Sequence, residues 1–85
     1  MPVMAPTIHL NGTSRQSLHR YYLEAYEATR KAYDAVAETS PNGRDYYPQG
    51  DDAICKAADE HKARLQKLMA VIGELEELAL HTMLE

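Results

Sequence analysis

Two stretches of the chain carry apolar residues at alternating steps of four and three, the spacing of a helix that buries one face. In the first, Leu18, Tyr22, Ala25, Thr29, Ala32 and Val36 share a stripe uninterrupted by Pro or Gly. In the second, Ile54, Ala58, His61, Leu65, Leu68, Ile72, Leu75, Ala79 and Thr82 do the same over a longer run. Stripes of this period seat two helices side by side, and the alanines of the first allow close approach. Thr13 and Gln16 have capping-box spacing, so the first helix is expected over 14–39, ending before Ser40 and Pro41. Asp51 and Asp52 favour a second helix start, giving 51–85. Residues 40–50 connect the two. Residues 1–13 form an arm and turn: Thr7-Ile8-His9-Leu10 alternates as a short strand or extended segment, with Ile8 and Leu10 facing one way, and Asn11-Gly12 turns the chain. The predicted fold class is all-α, an antiparallel two-helix hairpin with a short extended N-terminal arm.

At 1.5 Å per residue these helices would be roughly 38 Å and 48 Å long, so one overhangs the other. Beyond Leu68 the apolar surface widens to take in Met69, Val71, Leu78, Leu80, Met83 and Leu84, more than one facing helix covers. The hairpin is therefore expected to assemble as a helical homo-oligomer through helix two, with Leu68, Ile72, Leu75 and Leu78 in the interface. The alternative is that the arm folds back over this flank and yields a monomer.

At 85 residues the chain is one domain, too short for a second core. Its single cysteine, Cys55, excludes an internal disulfide and a four-ligand zinc site of the usual kind. A net charge of -4 argues against duplex nucleic acid as a partner. No apolar run is long enough to span a membrane and the start lacks a secretory pattern, so a cytoplasmic protein with no membrane partner is expected. Six tyrosines with no Trp or Phe suggest a wet, interfacial role, since each buried phenol needs a polar partner.

Candidate chemistry lies mainly in the connection. Pro41 and Pro48 stiffen its ends, while Asn42-Gly43 and Gln49-Gly50 can adopt left-handed turns. Arg44 offers a planar fork for phosphate, Tyr46 and Tyr47 offer faces for a base, and Asn42 offers an edge hydrogen bond. The same residues could instead plug the end of the hairpin, with Arg44 and Asp45 pairing locally. A second candidate surface opens the first helix, where Arg15, Arg20 and Tyr22 cluster with His19 and Tyr26 beside free backbone amides. The second helix is basic early (Lys56, Lys62, Arg64, Lys67) and acidic late (Glu74, Glu76, Glu77, Glu85), which reads equally as a solvated face. His61 sits on the apolar stripe as a hydrogen-bonded neutral imidazole, and His9, His19 and His81 are scattered, so no metal site is read. Cys55 reads as a small half-buried residue. No phosphate-loop, nucleophile-elbow or zinc-protease motif is present. The expectation is a non-enzyme with no catalytic residue and no cofactor.

The series Ile8-His9-Leu10-Asn11-Gly12-Thr13-Ser14, a helix, Pro41-Asn42-Gly43-Arg44-Asp45-Tyr46-Tyr47-Pro48-Gln49-Gly50, and Glu60-His61 ahead of a Leu-rich helix resembles small bacteriophage proteins that counter CBASS and Thoeris defence. The resemblance is one of layout and covers nearly the whole chain from Ile8. It implies an oligomeric sponge that sequesters a cyclic nucleotide signal between protomers without degrading it. The alternative function is a phage-encoded inhibitor or adaptor that binds another protein through an exposed helix surface.

Overall fold

The computed structural model describes residues 3–83; Met1, Pro2, Leu84 and Glu85, and with them the expected share of Leu84 in the apolar flank, lie outside the described residues. Two helices dominate, α1 (Arg15–Ala37) and α2 (Ala53–Met83). They pack antiparallel, with His19 near the start of α1 beside Ala79 and Thr82 near the end of α2. The helical hairpin agrees with the sequence pattern.

Local chemistry accounts for the boundaries. Ser14, not the expected Thr13–Gln16 box, caps α1: its Oγ accepts from Ser17 N at 3.1 Å. At the other end Thr39 Oγ1 donates to Val36 O at 2.7 Å, and the helix stops ahead of Pro41. The connection is not an open loop. It holds two 3-10 turns, Gly43–Asp45 and Tyr47–Gln49, the first capped by Asn42 Oδ1, which accepts from Arg44 N at 2.9 Å. Gly50, at φ +110°, takes the backbone conformation that only glycine adopts freely. The expected left-handed turn at Asn42-Gly43 is absent; Asn42 is extended.

The core is thin. Ile72, at 6% exposure, and Ala79 are its buried apolar residues among those described, joined by His61 and by Thr82, which is fully enclosed. No residue of α1 is buried. Both predicted stripes face inward except that Ala32 and Ala58 are exposed, and their neighbours Tyr33 and Ala57 turn in instead. A strict seven-residue repeat drifts by about 20° per heptad on a 3.6-residue helix, which is how a stripe drawn from spacing loses one position.

The molecule is a rod of 61 × 22 × 18 Å with a radius of gyration of 18.4 Å, against about 12 Å for a compact chain of this length. Pairing His19 with Ala79 and Thr82 brings the end of α1 opposite the third turn of α2, so the overhang of about 15 Å lies at the start of α2. The overhang is covered by the second 3-10 turn: Tyr46 and Gln49 lie with Ala53, Ala57 and Glu60 around a shallow depression. The extra length expected at the Leu-rich end is therefore at the opposite end.

The arm runs along the back of α2. Val3 N donates to Glu77 Oε2 at 3.2 Å, and Ala5, Pro6, Thr7 and Ile8 border His81. Among the described residues it forms no strand. Ile8 is half-buried but Leu10 is 98% exposed, so the two do not share a face; Leu10 sits in the turn closed by Gly12 N to His9 O at 3.1 Å. A side chain at position 12 would meet the His9 ring at 2.8 Å, so the exposed imidazole would have to swing aside to admit one.

Candidate functional site

The hairpin distributes the seven candidate binding residues between its two ends. Asn42, Arg44, Tyr46 and Tyr47 lie at the loop end, and Arg15, Arg20 and Tyr22 at the arm end beside the close of α2. One chain does not bring the two groups together, because α1, about 34 Å long, stands between them.

At the loop end the two 3-10 turns and Gly50 hold the backbone, and Arg44 and Tyr47 project outward. Tyr47 is 77% exposed, so it does not plug the hairpin; Tyr46, half-buried, does. Arg44 and Asp45 are both exposed. Asn42 spends its carbonyl oxygen on the Arg44 amide, which leaves its NH2 group for a ligand.

At the arm end His19 is the organising residue. Its Nδ1 is 3.0 Å from Ala79 O and 3.1 Å from Thr82 Oγ1. A carbonyl oxygen only accepts, so Nδ1 is the donor in this contact. Two adjoining hollows flank this imidazole. The first, of about 290 Å³, lies between the helices and is lined mainly by His19, Leu23, Tyr26, Glu76, Leu80 and Met83. The second borders Arg15, Gln16 and Thr82. Arg15 thus faces a hollow, whereas the Arg20 guanidinium stacks over its own neighbour Tyr21 at 5.0 Å, and Tyr22 is half-buried on the α2-facing side. Along the same flank Arg30 Nη1 donates to the Tyr26 hydroxyl at 3.4 Å. That bond, with Asp34 and Glu76 nearby, holds the guanidinium above its ordinary value.

The four residues expected in a self-association surface differ in their exposure within one chain. Ile72 is buried within its own chain, and Leu68, Leu75 and Leu78 are half-buried, because they form the inner stripe of α2 and its edge. The apolar side chains that α2 leaves open are Met69, Val71, Leu80 and Met83, joined by Leu23 of α1. Spacing had signalled most of them, but not Leu23 or Glu76; the offset series Met69, Gly73, Glu76, Leu80, Met83, itself stepping by four and three, carries that signal.

Two further residues differ from expectation. Cys55 is exposed rather than half-buried. His61 is buried on the stripe as expected, yet its Nδ1 has no hydrogen-bond partner. Among the described residues, no three metal-ligating side chains gather and no helix is long and apolar enough to cross a membrane. Comparison with known proteins finds no match to a protein family, a curated protein or a solved structure.

Proposed function

We propose that this protein is a non-catalytic, phage-type binding protein of the bacterial cytoplasm that sequesters a cyclic nucleotide signal between copies of itself. The observation that carries the reading is the open pair of Arg44 and Tyr47 on a loop whose backbone is fixed by two 3-10 turns. A guanidinium and a free aromatic face on a rigid base suit phosphate and nucleobase, and little ordering entropy is lost on binding.

The division of cationic and aromatic residues between the two ends supports assembly as part of the function. Copies laid head to tail bring the Arg44 end of one toward the Arg15 end of the next. Sub-micromolar binding needs about -8 kcal/mol or better, while each base stack contributes about 1–3 kcal/mol. Several contacts closing from two chains reach that figure; Arg44 and Tyr47 alone do not.

A second reading, an inhibitor or adaptor that docks on another protein, draws on the exposed Met69, Val71, Leu80 and Met83. Calorimetry against cyclic di- and trinucleotides and cyclic ADP-ribose isomers separates the two. Sequestration predicts tight binding to at least one of these, loss in Arg44→Ala with assembly unchanged, and recovery of intact ligand after heat release. Silence across the panel would reject it, and silence together with capture of a host protein would favour the adaptor.

A further inference from the structure

The surface of a single chain is larger than a stable small protein shows. At 6643 Å² it exceeds by about 1,500 Å² the roughly 5,100 Å² expected of a compact monomer of 9.6 kDa. A standard dimer covers about 800 Å² on each partner, which this excess accommodates.

The uncovered apolar surface is concentrated on one flank. Leu23 of α1 lies across the groove from Leu80 and Met83, which are 45% and 54% exposed, and Met69 continues the stripe along α2. Gly73 sits in the middle of that stripe. Among the described residues nothing lies within 4 Å of where its Cβ would be, and its φ is not positive, so neither their packing nor the backbone geometry requires glycine there. A glycine inside a helix weakens it, and a closely approaching helix is a physical reason to keep one. The arm does not serve, since it runs along Glu77 and His81 on the back of α2.

We infer that a second copy of this chain covers the flank formed by Leu23, Met69, Gly73, Glu76, Leu80 and Met83, laid antiparallel so that two hairpins form a four-helix bundle. Charge sets the direction. The first half of α2 carries Lys56, Lys62, Arg64 and Lys67 against Asp59 and Glu60, a net basic balance, and the second half carries Glu74, Glu76 and Glu77, all of these exposed. Antiparallel copies bring basic halves against acidic halves; parallel copies would set like charges side by side. The inference shares with the proposed function the premise that copies associate, and adds which face does so.

The test uses the full chain at micromolar concentration, with mass from light scattering and helicity from circular dichroism. The unaltered chain is expected to run as two or more copies, and Leu80→Glu and Gly73→Leu each to weaken association at least 100-fold with helicity kept. Gly73→Leu is the sharper variant, because a lone chain has room for the side chain and leucine is the better helix former. An assembly that survives both changes overturns the assignment of this face while leaving nucleotide sequestration standing; a monomeric unaltered chain overturns both. Spin labels on Cys55, exposed near the start of α2, read the orientation. Antiparallel helices of 31 residues place the two labels beyond about 35 Å, and a shorter separation overturns the antiparallel arrangement.

Discussion

His19 Nδ1 sits 3.1 Å from Thr82 Oγ1, a side-chain contact that spans 63 positions of sequence and locks the first turns of α1 to the last turns of α2. The hydroxyl in turn donates back to its own helix, reaching Ala79 O at 2.9 Å. Thr82 is fully enclosed, so its side of the contact is shielded from water, while the half-buried His19 borders the two hollows.

Replacing Thr82 by Val keeps the volume and removes the acceptor. The expected loss is about 1–2 kcal/mol of stability, since His19 retains Ala79 O but loses half of its shared bond. Urea denaturation followed by circular dichroism measures it. No change in midpoint would mean that the contact does not hold the register.

Ile72 is the larger of the two buried apolar residues described, and few neighbours exist to collapse into a cavity. Ile72→Ala is expected to cost about 2–4 kcal/mol, a large part of what so small a core supplies. Thermal melting is the readout, with a substantial fall in Tm expected and near-native melting as the contrary result.

His61 buries a ring nitrogen with no partner, which costs about 1–3 kcal/mol relative to an apolar group of similar shape. His61→Leu is therefore expected to leave stability unchanged or raise it by about 1 kcal/mol. Denaturant midpoints decide this, and clear destabilisation would show that the imidazole finds a partner in solution.

Ser14→Ala removes the acceptor for Ser17 N and should cost about 1 kcal/mol while fraying the turn that carries Arg15. Amide exchange at Ser17 and Leu18 is the direct readout. Unchanged protection would place the cap elsewhere.

Much of the architecture is legible in spacing alone. Leu65, Leu68, Ile72, Leu75 and Ala79 turn inward as their period requires, and Ser40-Pro41 and Asn11-Gly12 mark chain reversals. Ala32 and Ala58 depart from the stripes because small residues at a drifting position give the pattern no steric reason to choose them over Tyr33 and Ala57. The overhang fell at the wrong end because helix lengths do not set register. That depends on the His19 contact with Ala79 and Thr82, which no local pattern encodes. The candidate residues are legible as chemistry but not as one site: Arg15 opens α1 and Arg44 follows its end, so the length of α1 holds them at opposite ends of the rod. Leu23 and Glu76 give no signal in either stripe because the flank they line combines two helices.

The proposed self-association follows from the thin core and the open Leu23–Leu80 side of a single hairpin. The mass of the unaltered chain in solution, taken by light scattering at micromolar concentration, tests this most directly. A value of at least twice 9.6 kDa is predicted. A stable, fully helical particle of 9.6 kDa would contradict it.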